Sequence, residues 1–210
     1  MMRYLVLALL LVCAVLPAAA ATNEGKIAIP IPKEGEERKP GPLVVYADDV
    51  MFMVKEPEGW FGDLENAKDI GAAVVLYRPE DASKESGTII HVQVLTKVDE
   101  NTQEDLNHDM QQFREYHPDV QFRDLKVKHP SYRSFSKIFV IPKQKHDYLT
   151  FLNPGKQIPY LFLAVMKTGT KEASKAELQA YRSLVRSIEY ISQEGVKPPV
   201  HEEGNKEPGK

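Results

Sequence analysis

The chain has 210 residues, a formal net charge of −3 and 27% charged residues. Its lysines and acids are interspersed, so it has neither the basic stripe of a nucleic-acid-binding protein nor a polybasic patch for a membrane surface. Its one cysteine, Cys13, falls in the apolar N-terminal segment. Removal of that segment would leave no disulfide, thiolate nucleophile or cysteine metal ligand, so the fold must depend on its hydrophobic core.

The N-terminal segment is typical of a secretory signal peptide. Arg3 precedes an apolar stretch over residues 4–16, which Pro17 interrupts before a run of alanines. The apolar stretch is shorter than the ~20 residues of a transmembrane helix. We therefore predict that residues 1–21 are removed by cleavage after Ala21 and that the protein is periplasmic or secreted, without a stable membrane anchor.

The rest of the chain divides into one domain and two tails. Residues 22–42 are rich in proline, glycine and charge, which favours a flexible leader. Residues 192–210 have almost no apolar side chains to offset the entropy cost of ordering, and we predict a disordered tail. Residues 43–191 between them have the usual size of a single domain.

Strand-like patterns dominate the first part of that domain. The stretch LVVYADDVMFMV predicts two strands joined by a turn at Asp48 and Asp49, because Asp tolerates turn backbone. Pro57 and Gly59 occupy the second and fourth positions of EPEG, which suits a type I turn at residues 56–59. The runs GAAVVLYR and GTIIHVQVLTK then predict two further strands.

Two segments have the apolar periodicity of amphipathic helices. The first, residues 102–116, ends before Pro118. The second, residues 174–191, begins with a capping box of Ser174 and Glu177. Its apolar stripe consists of Leu178, Tyr181, Leu184, Val185 and Ile188.

Four β-rich runs lie between these helices: VQFRDLKVK, SFSKIFVIP, HDYLTFLN and IPYLFLAVMKT. Their short connections imply antiparallel pairing. The last run is apolar on both faces, which predicts a central strand covered on both sides. The sequence therefore predicts an α+β fold, in which a mostly antiparallel sheet of about six or seven strands is flanked by helices in an α/β/α sandwich.

Three motifs, taken in order, resemble the PsbP-like family. Residues 52–60, FMVKEPEGW, are similar to the family's strand followed by P-x-GW. Residues 72–80, AAVVLYRPE, are similar to its A-V-x-Y-P strand end, and residues 180–190, AYRSLVRSIEY, to its F-R-x-L-V-x-S terminal helix. Together with residues 113–120, FREYHPDV, they resemble a set of exported bacterial proteins of unknown role.

The family includes an extrinsic subunit of the oxygen-evolving complex of photosystem II, and it shares its fold with a small nuclear-transport factor that binds Ran. The resemblance covers most of residues 43–191 and implies an antiparallel sheet between helices, usually without catalysis. Residues 61–63, after the tryptophan, depart from the family pattern. The resemblance provides no residue-level correspondence for docking at the manganese cluster, so the photosystem role is not implied.

Motifs of the common catalytic and nucleotide-binding classes are absent: the sequence lacks G-x-S-x-G, G-x-x-x-x-G-K-[ST], G-x-G-x-x-G and H-E-x-x-H. Gly169 in KTGTKE lacks the rest of a P-loop and is interpreted as part of a strand-to-helix turn. Glu104 and His108 could face one metal ion from a helix, but no further ligand stands at a recognised spacing. We interpret them as a solvated helix face and expect neither a metal nor a cofactor.

Two residues leave an enzymatic alternative open. His91 is interpreted as a partly buried structural residue or as the edge of a shallow groove. Asp147 and its neighbour His146 point to opposite faces of a strand and cannot form a dyad directly. The alternative is a hydrolase or a metal-dependent enzyme with an unrecognised site, built on His91, Asp147 or a metal.

Trp60 has two interpretations. A large ring is commonly buried with its N–H bonded, which favours a core aromatic that covers the end of the sheet. Alternatively, Trp60, Phe61 and Tyr77 form an exposed wall of a ligand or partner site, because such sites favour aromatic side chains. The sequence thus favours a non-enzymatic exported binding protein, whose partner is an envelope protein or a small ligand rather than nucleic acid.

Overall fold

The structure is a computed structural model that describes residues 40–47, 50–82, 87–97, 102–142 and 144–191. The predicted signal peptide with Ala21, the predicted tail, most of the predicted leader and the turn at Asp48 and Asp49 lie outside these ranges. The described strands are β1 (Pro42–Ala47), β2 (Val50–Lys55), β3 (Phe61–Asp63), β4 (Val74–Tyr77), β5 (Ile89–Thr96), β6 (Gln121–Asp124), β7 (Arg133–Val140), β8 (His146–Asn153), β9 (Tyr160–Lys167) and β10 (Glu189–Ile191). The described helices are α1 (Pro79–Ala82), α2 (Thr102–Tyr116) and α3 (Lys175–Ser187), with a 3-10 turn at Lys68–Ile70.

The strands form two antiparallel sheets. Seven of them make a large sheet in the order β3-β4-β5-β9-β8-β7-β6, while β1, β2 and β10 make a small sheet with β2 in its centre. Every strand predicted from the sequence is present and helix α2 has its predicted bounds, which confirms the antiparallel α+β fold. Among the described helices, none is long and apolar enough to span a bilayer.

Strand β9 carries apolar side chains on both faces, as its sequence predicts. Phe162 and Met166 face a core that is shared with α3 and the small sheet. Leu161 and Val165 face a second core, which is shared with α2. The expected α/β/α sandwich is therefore present, and the small sheet is an addition to the layer that contains α3.

Helix α3 is fixed to the large sheet at its start and along its apolar stripe. The hydroxyl of Ser174 accepts the N–H of Glu177 at 3.2 Å, and the Glu177 carboxylate accepts the N–H of Ser174 at 2.7 Å, which confirms the capping box. Tyr181 is fully buried, and its hydroxyl lies 2.9 Å from the carbonyl of Ala164 on β9. Burial of Leu184 stabilises the fold by roughly 1.5–3 kcal/mol.

The prediction of one helix over residues 174–191 was wrong at its end. Helix α3 ends at Ser187, Ile188 has extended backbone with φ −67° and ψ 120°, and strand β10 follows. Tyr190 of β10 is paired with Phe52 of β2. Pairing with β2 satisfies the backbone of β10 and covers an otherwise open strand edge, so a tertiary contact overrides the helical periodicity.

The turn before Trp60 lies one residue later than predicted and is of another type. The N–H of Trp60 donates to the carbonyl of Pro57 at 3.0 Å, so the turn spans residues 57–60 rather than 56–59. Gly59 is its third residue and has φ 75°, the conformation that a type II turn requires at this place.

Trp60 lies in the core between the two sheets. Its side chain is 3% exposed and belongs to the same buried cluster as Phe52 and Phe162. The guanidinium of Arg78 lies over the ring, 5.7 Å from its centroid. These contacts match the interpretation of Trp60 as a core aromatic.

Substitution of Trp60 by Ala is expected to lower the free energy of unfolding by ~3–5 kcal/mol, because a large cavity would remain between the sheets. Urea denaturation followed by circular dichroism measures the change. Tyr46→Ala is the control, since Tyr46 is half exposed on β1 and its loss should change stability by less than ~0.5 kcal/mol. Equal unfolding midpoints for the two variants would contradict the core position of Trp60.

Candidate functional site

A groove of about 700 Å³ lies at one end of the large sheet. It forms where β5 and β8 begin and β9 ends, because these antiparallel neighbours bring Ile89, Lys167 and Asp147 into one row across the sheet. The loop of residues 168–171, which follows β9, forms one wall, and Lys145 stands on the side of β8. The volume falls within the range of small-ligand sites.

The groove is predominantly positive, although the whole chain is negative. Lys145, Lys167 and Lys171 line it, against one carboxylate, that of Asp147. None of these three lysines has an ion-pair partner within 4 Å among the described residues. Lys137 contrasts with them, because its ammonium lies 2.6 Å from a carboxylate oxygen across the sheet.

Asp147 is half-buried in this groove, opposite Lys167 on the neighbouring strand. Burial raises the pKa of Asp147 above its usual value, although the charges of Lys167 and His117 act in the opposite direction. The carboxyl group is therefore poorly compensated in its ionised form.

Backbone hydrogen bonds hold the loop after β9 against the rest of the domain. The N–H of Gly169 donates to the hydroxyl of Thr88 at 2.7 Å. The N–H of His146 donates to the carbonyl of Lys171 at 3.2 Å, and the hydroxyl of Thr168 donates to the carbonyl of His146 at 3.1 Å. The wall of the groove is thus fixed by contacts with both β8 and the start of β5.

A buried carboxylate lies behind this loop. The hydroxyl of Thr88 donates to Glu177 Oε1 at 2.5 Å, and the guanidinium of Arg78 lies 3.4 Å from the same oxygen. Arg78 also donates from Nε to the carboxylate of Asp81 at 2.6 Å. A continuous series of contacts therefore runs from the ring of Trp60 through Arg78, Glu177 and Thr88 to the loop.

Glu177 is ionised in this setting because its partners outweigh its burial. Burial alone would raise its pKa, but hydrogen bonds from Thr88 and Ser174 and the charge of Arg78 lower the pKa below its ordinary value of 4.5.

The three aromatic residues predicted as a possible ligand or partner surface do not line the groove. Trp60 and Tyr77 are 3% and 4% exposed, and Phe61 is half-buried opposite Tyr77 in the β3–β4 pair. Their burial is consistent with core packing, and binding at this trio stays a prediction.

His91 is a buried residue at the centre of the large sheet. Burial, with a smaller effect from the charge of Lys167, lowers the pKa of His91 to about 3, so the imidazole is neutral at neutral pH. His91 does not line the groove, and strand β9 separates it from Asp147. The structure therefore does not bring these two residues into one hydrogen-bonded pair.

Among the described residues, no further metal ligand joins the helical pair Glu104 and His108. His108 lies 2.9 Å from the amide nitrogen of Gln112 on the same helix. Within the described ranges, no group of three or more His, Cys, Asp or Glu side chains is placed to hold a metal ion.

Sequence reasoning missed the groove lysines. The available signal was their position at strand ends, since Lys145 directly precedes β8 and Lys167 ends the adjacent antiparallel strand β9. This signal can be recognised only if β9 is known to pair with both β8 and β5. The pairing of β9 with β5 joins strands that are far apart in the chain.

Comparisons with known proteins give a likeness in structure but none in sequence. No protein-family model matches the chain, and no curated protein sequence matches it significantly. The solution structure of cyanobacterial PsbP (CyanoP) from Synechocystis sp. PCC 6803 is similar to it at a TM-score of 0.47 and 12% sequence identity, over 77% of this chain and 99% of that one. That protein belongs to the family that the sequence motifs resemble, and membership of the present chain in the family stays a prediction.

Glu177→Gln is expected to lower the free energy of unfolding at pH 7 by ~1–3 kcal/mol, because the neutral amide loses charged hydrogen bonds in a buried place. The lowered pKa in the fold means that the carboxylate stabilises the protein above pH 4.5 and that this contribution disappears as pH falls through the folded-state pKa. The difference between wild type and variant should therefore shrink on acidification. Chemical denaturation at a series of pH values measures this difference in the free energy of unfolding.

Glu58→Gln is the matched control, since Glu58 is an exposed residue of the turn before Trp60. Its unfolding free energy should follow that of the wild type at every pH. A Glu177→Gln deficit that stays constant down to acid pH would contradict the ionised state of Glu177.

Asp147→Asn is expected to increase the free energy of unfolding at pH 7, by up to ~1 kcal/mol. A pKa raised in the fold means that ionisation costs stability as pH rises through that pKa, and the amide removes this cost. The gain should be absent below pH 3.8, the ordinary value for the carboxyl group. Thermal unfolding measures the gain, with the exposed Asp119→Asn as a control, and a loss of stability at neutral pH would refute the argument.

Proposed function

We propose that the protein is a non-enzymatic, exported binding protein of the cell envelope and that the groove between β5, β8 and β9 is its binding site. The observation that carries this proposal is a set of three lysines that line a cavity of ligand size and have no ion-pair partner among the described residues. The predicted signal peptide supports the envelope as the place of action.

The pKa of His91 and the positions of His91 and Asp147 support a binding role rather than a catalytic one. A general base near neutral pH needs a pKa close to 7 and a position beside the substrate. His91 has a pKa of about 3 and lies outside the groove. Asp147 is in the groove, but it has no histidine within hydrogen-bond reach among the described residues.

The fixed wall of the groove also favours binding. The loop of residues 168–171 is held by Thr88 and His146 before any ligand arrives, so little backbone entropy is lost on association. The groove is open along one side, which admits either a small molecule or a segment of an envelope protein.

Photo-crosslinking in the native envelope tests the proposal. A photoreactive side chain at Thr170, an exposed residue of the groove loop, is expected to capture a bound molecule. The same side chain at Lys128 is the control, because Lys128 is exposed before β7 whereas the groove lies beyond its far end. The carbonyl of Val127 accepts the hydroxyl of Ser134 near the start of β7, so most of the length of β7 separates these sites, roughly 20 Å.

Capture at residue 170 that is absent at residue 128 would support the groove as the binding site. Equal capture at both positions, or none at residue 170, would contradict it.

A further inference from the structure

We propose that the groove is a receptor for the anionic head group of a small molecule, a phosphate or a carboxylate, held between Lys145, Lys167 and Lys171. This inference rests on the proposed binding function and names the chemical class of the ligand. Phosphate and carboxylate share the chemistry that the groove offers, which is attraction to several ammonium groups at once.

The first support is the position of the three charges. Lys167 is in register with Ile89 on one side and Asp147 on the other, so it stands in the middle of the row that crosses the groove. Lys145 precedes β8 and Lys171 ends the loop after β9. The three lysines, which are exposed to solvent, therefore line one groove from three separate points of the chain.

The second support is the contrast with other lysines of the domain. Lys137 is neutralised by Asp124 at 2.6 Å, and Lys97 donates to the carbonyls of Gly155 and Ile158 at 2.5 and 2.6 Å. The groove lysines have no such partners among the residues described. Like charges around a cavity repel one another, and an anion from solution would relieve this repulsion.

Asp147 is the internal competitor of the ligand. Its carboxylate lies in the same row as Lys167 and reduces the positive charge of the groove, yet the two groups form no ion pair within 4 Å. Substitutions at these two neighbouring positions should therefore have opposite effects. Removal of the Lys167 charge should weaken anion binding, and removal of the Asp147 charge should strengthen anion binding.

The groove loop contributes rigidity rather than a phosphate-binding backbone cradle. The N–H of Gly169, in KTGTKE, is already bonded to Thr88, and the hydroxyl of Thr170 is bonded to the carbonyl of Glu172 at 2.7 Å. The stretch thus differs from a P-loop, in which backbone N–H groups point at the ligand. Recognition falls to the lysine side chains.

Isothermal titration calorimetry on the purified protein at low ionic strength tests the proposal, with inorganic phosphate in one arm and succinate in the other. Saturable binding of either anion is expected, and the arm that binds more tightly assigns the head group. Lys167→Gln should weaken that binding about fivefold, and Asp147→Asn should strengthen it. Added sodium chloride should weaken binding in the wild type, because salt screens the attraction.

Lys128→Gln is the matched control, since it removes one exposed lysine at the far end of β7 and should leave the affinity unchanged. Circular dichroism establishes that each variant is folded. Absence of saturable binding in both arms, or the same loss for Lys128→Gln as for Lys167→Gln, would overturn the proposal.

The two proposals fail separately. If residue 170 captures a molecule in the envelope but the purified protein binds neither anion, the groove is a binding site and the proposal of an anionic ligand is wrong. If the purified protein binds an anion but residue 170 captures nothing in the envelope, the proposal of an anion site is supported and the proposal of a binding function in the envelope is wrong.

Discussion

The carboxylate of Glu177 connects three parts of the domain. One oxygen accepts the N–H of Ser174 and starts helix α3, while the other accepts the hydroxyl of Thr88 and faces the guanidinium of Arg78. A buried charge is tolerated only where such partners surround it, and their removal leaves it uncompensated. The start of α3, the region around Trp60 and the loop that walls the groove therefore share one electrostatic centre.

A second buried carboxylate has a similar role between the two sheets. Glu56 is 3% exposed and accepts the N–H of Gly41 at 3.0 Å and that of Gly62 at 2.8 Å, which joins the start of β1 to β3. A Cβ at Gly62 would meet a methyl group of Leu43, so a larger residue there would displace the Leu43 side chain. The domain thus uses buried acidic side chains, Glu56 and Glu177, to join segments that do not pair as strands.

Among the described residues, the lysines of the groove have no ion-pair partner, in contrast to the buried carboxylate of Glu177. These lysines lie directly before β8, at the end of β9 and in the loop after β9, so the cavity exists only when β5, β9 and β8 are neighbours. Its fixed loop and its excess of positive charge are the two properties on which the binding proposals depend. The proposed function of this site depends on the chemistry of side chains on a stable sheet rather than on a catalytic motif.

The elements that could be predicted from the amino-acid sequence are those whose pattern is local. The alternation in β5 and β9, the apolar stripe of α3 and the capping box of Ser174 and Glu177 all depend on residues close in the chain. Features that need distant partners depend on the tertiary structure. Residues 189–191 form strand β10 because β2 lies beside them. Glu177 joins α3 to other parts of the domain because Thr88 and Arg78 contact its carboxylate. The groove lysines belong to this second group, since residues far apart in the chain meet there only through the order of the strands.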